Sequence, residues 1–178
     1  TEETCQKFGV RVGSYKGKKV HFYPYYKDNS LVACKVRDKD KNFSFIGDSS
    51  NPPLFGQNLW SSGKKIIVTE GEIDCLTVSQ LQSNKWPVVS LPNGAQSAKK
   101  YIQKNLEWLE YFETVVLMFD NDQPGRDAVA ECAPLFTPGR CKVAALPLKD
   151  ANDMLMTGRG AEVIQAIWNA KPFRPDGI

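Results

Sequence analysis

The stretch that decides the fold reads Thr114-Val-Val-Leu-Met-Phe-Asp120-Asn-Asp122-Gln-Pro-Gly-Arg126-Asp-Ala128. An apolar run ends in two carboxylates two positions apart, and a Pro-Gly turn and a helix-like segment follow. In an open parallel α/β sheet, ligands bind at the carboxyl ends of the strands. The spacing puts Asp120 and Asp122 on the same side of an extended chain. Because Mg²⁺ prefers carboxylate oxygens together with phosphates, the stretch predicts a metal–phosphate site.

Strands and helices alternate on both sides of this stretch. Apolar runs predict strands over residues 66–69, 88–91, 114–119 and 141–146. Helical spacing predicts helices over residues 72–82, 98–109, 126–135 and 161–170. Such alternation is typical of βαβ units and a parallel sheet.

The first third of the chain has a different texture. Its β-rich runs predict antiparallel strands over residues 19–26, 31–38 and 42–47, joined by turn-forming residues. A stretch rich in Pro, Gly, Ser and Asn follows over 47–63 and marks a boundary. The predicted divisions are a basic β-rich N-terminal subdomain, a catalytic α/β subdomain, a closing helix and a linker, over residues 1–63, 64–158, 159–170 and 171–178.

Composition places the chain among soluble globular proteins, with 42% apolar and 24% charged residues. No apolar run is long enough for a membrane span, and nothing resembles a signal peptide. The five cysteines form no C-x-x-C pair, which disfavours a zinc site or a disulfide framework. We therefore expect a reducing, cytoplasmic location. A start without methionine suggests a fragment of a longer protein.

Charge is unevenly distributed along the chain. Residues 1–65 contain 12 Lys/Arg and 6 Asp/Glu, whereas residues 66–178 contain 11 and 14. A basic half beside an acidic half suggests a groove for a polyanion next to a cation site. Chance asymmetry of a solvated surface is the alternative.

Carboxylates follow the other predicted strands as well. Glu70 leaves the first strand, with Asp74 one helical turn later, and Asp150 follows the fourth strand. The second strand ends in a loop at Asn93, where a glycine lets the backbone approach a phosphate. Any one of these acids could simply cap a helix. Their convergence on one sheet edge instead favours bound Mg²⁺, because clustered carboxylates repel one another without a cation.

Cations recur at every second position between residues 35 and 41, namely Lys35, Arg37, Lys39 and Lys41. If the strand continues through them, they project from one face and suit triphosphates or a template backbone. The alternative is that Lys39 and Lys41 decorate a hairpin turn. Arg126 and Lys149, beside the carboxylates, are further candidates for phosphate contact.

Four segments resemble a known family in order and spacing. They are Thr69-Glu-Gly-Glu-Ile-Asp74, Ser90-Leu-Pro-Asn-Gly94, Phe119-Asp-Asn-Asp122 and Lys149-Asp-Ala-Asn-Asp153. They resemble the Toprim motif, in the version found in the primase half of phage T7-type primase–helicases, and the resemblance extends over the whole chain. It implies a Toprim-type parallel sheet flanked by helices over 64–158, preceded by a small, basic, largely antiparallel β subdomain.

The resemblance also implies a function and its residues. The function is that of a DNA-dependent RNA polymerase, a primase that joins NTPs into short primers on single-stranded DNA. Mg²⁺, for which Mn²⁺ can substitute, would be held by Glu70, Asp120, Asp122 and Asp150. Asp74 would support catalysis, and Glu70 could alternatively act as a general base. Nucleotide or template contacts would come from Lys35, Arg37, Lys39, Lys41, Asn93, Arg126 and Lys149.

Partners follow from the same resemblance. Family members carry zinc-binding and helicase domains, and this sequence contains neither the zinc-binding cysteines nor a G-x-x-x-x-G-K-[ST] motif. A replicative DNA polymerase would receive the primer in the cytoplasm of an infected bacterial host. The alternatives are a Toprim nuclease or topoisomerase, and a non-catalytic single-stranded DNA-binding module of a helicase. A topoisomerase needs a further DNA-gating domain. A module that only binds DNA gains nothing from clustered negative charge.

Overall fold

A four-stranded antiparallel sheet forms the first part of the computed structural model, which describes residues 1–174. Its elements are helix α1 (Glu2–Phe8) and strands β1 (Arg11–Tyr15), β2 (Lys18–Lys27), β3 (Ser30–Asp38) and β4 (Phe43–Gly47), in the order β1-β2-β3-β4. The sequence patterns had not indicated α1 or β1. Helix α1 begins at a cap in which the Thr1 hydroxyl accepts the Thr4 N–H, and it ends at Gly9, whose φ of 74° suits glycine.

A five-stranded sheet follows, in the order β6-β5-β7-β8-β9. Its strands are β5 (Gly63–Thr69), β6 (Val88–Ser90), β7 (Phe112–Met118), β8 (Cys141–Val143) and β9 (Lys171–Pro172). Its helices are α2 (Glu72–Leu81), α3 (Ala98–Lys104), α4 (Leu106–Leu109), α5 (Gln123–Cys132), α6 (Ala151–Met156) and α7 (Gly160–Trp168). Strands β5 to β8 are parallel, and β9 pairs antiparallel with β8. The mixed α/β fold with a parallel, helix-flanked sheet is thus confirmed.

Three further details differ from the predicted elements. The helix over 98–109 is two helices, because the buried Asn105 interrupts it and its side-chain amide donates to the Tyr101 carbonyl at 2.8 Å. Helix α6 was expected only as the element that Asp150 could cap. The first two residues of the predicted linker form β9 instead, while residues 175–178 lie outside the described part of the chain.

The core lies on both faces of the parallel sheet. Ile66 and Val68 of β5 face a cluster covered by α3, α4 and α5, whereas Ile67 faces one covered by α2, α6 and α7. Tyr23 and Tyr25 of the antiparallel sheet belong to the second cluster. The two sheets therefore share one core, and the antiparallel sheet is fixed against the α2 side of the parallel one.

Two further features concern the whole described chain. All five cysteines lie within residues 1–174 and none forms a disulfide. Over the same residues, no helix combines the length and apolar character that crossing a bilayer requires.

Candidate active site

Acidic side chains gather at the carboxyl edge of the parallel sheet. Strands β5 and β7 end level with each other, since Thr69 pairs with Met118. Glu70 follows β5 directly, and Asp120 stands two residues beyond β7. Asp150 lies after β8 and begins helix α6. The topology thus brings to one edge the strand ends that the sequence had marked as polar.

Three of these acids form a compact group. Asp74, Asp120 and Asp150 each offer a carboxylate oxygen, and these oxygens lie within 4.8 Å of one another. Asp74 is held by the Asn152 N–H, which donates to Oδ1 at 3.0 Å. Asp150 caps α6 by accepting the Asp153 N–H at 2.8 Å. Capping and ligand geometry are compatible, because a carboxylate has two oxygens and can accept a backbone N–H while it offers an oxygen to the group. Such a group could hold a metal ion.

Glu70 and Asp122 flank this group. An oxygen of Glu70 accepts the backbone N–H of Asp120 at 3.3 Å. Asp122 caps helix α5, accepting the Gly125 N–H at 2.8 Å. A Cβ on Gly125 would lie 2.0 Å from the Asp120 carbonyl oxygen, so only glycine fits there. Of the four predicted metal ligands, Asp120 and Asp150 belong to the compact group. Asp74, predicted as a supporting residue, is its third member.

Burial and mutual repulsion raise the pKa values of three of these acids, Glu70, Asp74 and Asp120. Burial, with the charge of Asp150 as the next cause, raises the pKa of Asp74 to about 8. Burial and then Asp120 raise the pKa of Glu70 to about 7. The pKa of Asp120 rises to about 6, again through burial and then Asp150. At neutral pH this edge therefore retains protons unless a cation replaces them.

Lys35 is buried in an ion pair rather than presented on an open surface. Its ammonium lies 2.9 Å from a Glu72 oxygen and donates to the Pro92 carbonyl at 2.9 Å. The Tyr25 hydroxyl donates to the same Glu72 oxygen. These contacts join the antiparallel sheet to α2 and to the loop after β6. In this arrangement the Lys35 ammonium is engaged by protein groups, and its contact with a nucleotide stays a prediction.

The predicted row of cations is also shorter than expected. Strand β3 ends at Asp38, so only Lys35 and Arg37 share its face. Lys39 and Lys41 lie in the turn before β4, and Lys41 adopts a positive φ of 66°. The hairpin-turn alternative therefore describes these two lysines correctly.

The remaining predicted residues, Arg126, Lys149 and Asn93, differ in their exposure and in their contacts. Arg126 and Lys149 are exposed, and Lys149 is near enough to Asp120 to oppose the rise in its pKa. A guanidinium nitrogen of Arg126 donates to Asn121 Oδ1 at 3.1 Å. Asn93 is half-buried, and its amide donates to the Tyr101 hydroxyl at 3.3 Å.

Two residues that organise the site were missed in the sequence. Asn121 fastens the β7 end to the β8 end, since its backbone N–H donates to the Lys149 carbonyl at 2.6 Å and its amide donates to the Leu146 carbonyl at 2.9 Å. Its position between Asp120 and Asp122 is the feature of the sequence that could have indicated this role. Glu72 was missed as the partner of Lys35, and the chain separation of 37 residues gives no local signal.

Family models match both parts of the chain. Residues 67–155, half of the chain, match a family described as Toprim-like. Residues 1–47 match the N-terminal α+β fold of the bacteriophage T7 DNA helicase/primase. The first match contains every member of the compact carboxylate group.

Individual relatives agree with these matches. A protein of Enterobacteria phage T3 named DNA helicase/primase is 47% identical over 179 residues, covering 100% of this chain and 32% of its own length. The chain thus spans about a third of that relative.

Solved structures extend the comparison. The crystal structure of the primase fragment of bacteriophage T7 primase–helicase is 47% identical with a TM-score of 0.90, covering 94% of this chain and 71% of that one. A second structure contains T7 primase domains with lagging-strand DNA polymerase, an RNA/DNA hybrid and dTTP. It is also 47% identical, with a TM-score of 0.92, over 97% of this chain and 89% of the other. The chain therefore belongs to the Toprim-like primase domains of the phage T7 helicase/primase family.

Proposed function

We propose that this chain is the RNA polymerase core of a phage primase, which joins NTPs into short primers on a single-stranded DNA template. The observation that carries the proposal is the group formed by Asp74, Asp120 and Asp150 at the carboxyl edge of the sheet. It is supported by the similarity of the whole chain to primase domains. Clustered acids with raised pKa values suit phosphoryl-transfer chemistry and do not suit a protein that only grips DNA.

The donor set fits a hard divalent cation, Mg²⁺ or in its place Mn²⁺. Asp74, Asp120 and Asp150 would hold it, with Glu70 and Asp122 next to them as further ligands. When bound, such a cation neutralises phosphate charge and promotes ionisation of the attacking 3′-hydroxyl. All donors are carboxylate oxygens, which Mg²⁺ favours over the sulfur and nitrogen donors typical of zinc sites.

The chain's own residues supply the remaining needs of nucleotidyl transfer. Glu70 is the candidate general base if it is not a ligand: the Asp120 N–H positions it, and burial and then the charge of Asp120 raise its pKa to about 7 in the metal-free site. The exposed side chains of Arg126 and Lys149 stand at the rim, where a triphosphate would find cationic donors. Lys35 contributes indirectly, by fixing the antiparallel sheet to the helix that carries Asp74.

The proposal includes partners and a location. Because the T7 primase domains were solved with a DNA polymerase and an RNA/DNA hybrid, we infer that this chain passes its primer to a replicative DNA polymerase. Zinc-binding and helicase domains would belong to the full-length protein, by analogy with the helicase/primase relative. Its work would take place in the cytoplasm of the infected bacterium.

The direct test is primer extension from a preformed dinucleotide, with NTPs, Mg²⁺ and a single-stranded template. Asp120→Asn and Asp150→Asn should each lower the extension rate by about 100-fold or more, since each loses a charge that the transition state requires. Asp127→Asn is the matched control, because Asp127 is exposed on α5 and bonds only Gln123 among the described contacts.

The same assay separates the alternatives. Degradation of the template without extension would indicate a Toprim nuclease. Tight DNA binding by wild-type protein with neither reaction would indicate a non-catalytic module. Equal extension by wild type and both Asn variants would refute the assignment of these carboxylates.

A further inference from the structure

One aromatic ring lies open on the edge strand of the antiparallel sheet. Phe43 begins β4 and is 54% exposed. Its ring is nevertheless held in place: the Phe45 ring meets it edge-on, with centroids 6.4 Å apart. The Lys35 ammonium lies 4.4 Å from the Phe43 ring centroid. The ring thus contacts Phe45 and the Lys35 ammonium with part of its surface, and the exposed remainder is available for stacking.

The ring lies on the side of the sheet that meets the carboxylate edge. Phe43 pairs across the strands with Arg37, and Phe45 pairs with Lys35, so all four side chains share one face. Lys35 reaches from that face to Glu72, which stands in the chain between Glu70 and Asp74. A continuous series of contacts thus connects the open ring with the first turn of the helix that carries Asp74.

Three positively charged residues adjoin Phe43 in the strand pairing or in the preceding turn, together with one exposed acid, Asp40. Arg37 is its cross-strand neighbour, and Lys39 and Lys41 are exposed in the turn immediately before it. The Asp38 carboxylate in the same turn is engaged by the backbone N–H groups of Asp40 and Asn42. Cations beside an open aromatic ring are the combination by which proteins bind single-stranded nucleic acids without reading their sequence.

We propose that Phe43 is a stacking platform for a nucleobase, with Arg37 and Lys41 contacting the adjoining phosphates. The base belongs either to the template strand or to a nucleotide entering the site, so the proposal rests on the polymerase function proposed above. It adds to that function a residue that holds substrate by its ring rather than by charge.

A second role for the ring has to be separated from stacking. Phe43 also covers the Lys35–Glu72 ion pair, and its loss could act through that pair alone. Phe43→Leu keeps an apolar cover but removes the aromatic face, whereas Phe43→Trp enlarges that face. Ile46→Ala is the matched control, because Ile46 is 40% exposed on the opposite face of the same strand.

The experiment measures three quantities for these variants. Fluorescence anisotropy gives the Kd for a labelled single-stranded oligonucleotide, dinucleotide-primed extension gives the KM for NTPs, and thermal unfolding gives Tm. We expect Phe43→Leu to raise one of the first two constants about 10-fold, with Tm within about 2 °C of wild type. Phe43→Trp should bind the oligonucleotide and the NTPs at least as tightly as the wild-type protein does. Ile46→Ala should have the same Kd and KM as wild type.

The Kd and the KM together identify the molecule to which the stacked base belongs. A raised Kd for DNA places a template base on the ring, and a raised KM with an unchanged Kd places the nucleotide there. An unchanged Kd and KM in Phe43→Leu would overturn the proposal. Equal losses of affinity in Phe43→Leu and Phe43→Trp would also overturn it, because they would mean that the ring only shields the Lys35–Glu72 ion pair. Extension by the wild-type protein is read separately, so a failure of the polymerase function is distinguishable from a failure of the platform.

Discussion

Two buried carboxylates on the first turn of helix α2 have opposite surroundings. Glu72 is neutralised within the chain, by the Lys35 ammonium and the Tyr25 hydroxyl. Asp74, two residues later, faces the carboxylates of Asp120 and Asp150. The contrast separates two uses of a buried acid. The first joins the two sheets, whereas the second accumulates negative charge for a cation that comes from outside the chain.

The largest effect is expected from breaking the neutralised pair. Lys35→Met should lower the free energy of unfolding by about 3–5 kcal/mol, because it leaves Glu72 as an uncompensated buried charge. Urea unfolding monitored by circular dichroism measures this loss. Lys39→Met, in the exposed turn, should change stability by less than about 0.5 kcal/mol. Similar stability of the two variants would contradict a structural role for the Lys35–Glu72 pair.

A smaller effect is expected from a substitution that adds a methyl group next to Asp120, in the compact carboxylate group. Gly125→Ala places a methyl group against the Asp120 carbonyl oxygen. Relieving that contact must shift the β7–α5 turn, at a cost of about 1–3 kcal/mol. We also expect extension to fall, since Asp120 moves with the turn. Gly139→Ala is a useful comparison, because a Cβ there meets nothing within 4 Å although its positive φ is strained. Full activity in Gly125→Ala would show that the position of the turn is unimportant.

The third effect has the opposite sign, because it stabilises the protein. Burial raises the pKa of Asp74 to about 8 from a usual value of 3.8, so the folded state binds the proton more tightly than the unfolded state does. The resulting stabilisation is complete below about pH 4 and is lost as pH rises towards 8. Asp74→Asn should therefore stabilise metal-free protein at pH 8, and should stabilise it less at pH 5.

Calorimetry in a chelating buffer at both pH values measures this difference. Glu72→Gln is the contrasting variant, since it should destabilise at both pH values by removing the partner of Lys35. Destabilisation by Asp74→Asn at pH 8 would mean that Asp74 is already compensated within the chain.

The sequence predicted the parallel sheet and its acidic edge because both depend on local patterns. Strands such as β7 are buried on both faces and appear as continuous apolar runs. The acids that end these strands meet because parallel strands end at a common edge. Asp150 illustrates a limit of such patterns: in sequence, capping and metal binding are alternatives, whereas the structure gives it a capping bond and a place in the carboxylate group.

Long-range contacts could not be predicted in this way. The alternating cations suggested an exposed row, but Lys35 is buried by Glu72 and Pro92, which are distant in the chain. Likewise the break at Asn105 depends on burial of a polar side chain that in sequence continues a helical pattern. In each case a tertiary partner, rather than local spacing, determines the conformation.

The central claim is that Asp74, Asp120 and Asp150 together bind a divalent cation. Titration of Mn²⁺ into metal-free protein at pH 8, followed by calorimetry, tests it without requiring catalysis. We predict that wild type and Asp127→Asn bind Mn²⁺ with equal affinity, and that Asp120→Asn and Asp150→Asn bind it at least 10-fold more weakly. Equal affinity in all four proteins would contradict the claim.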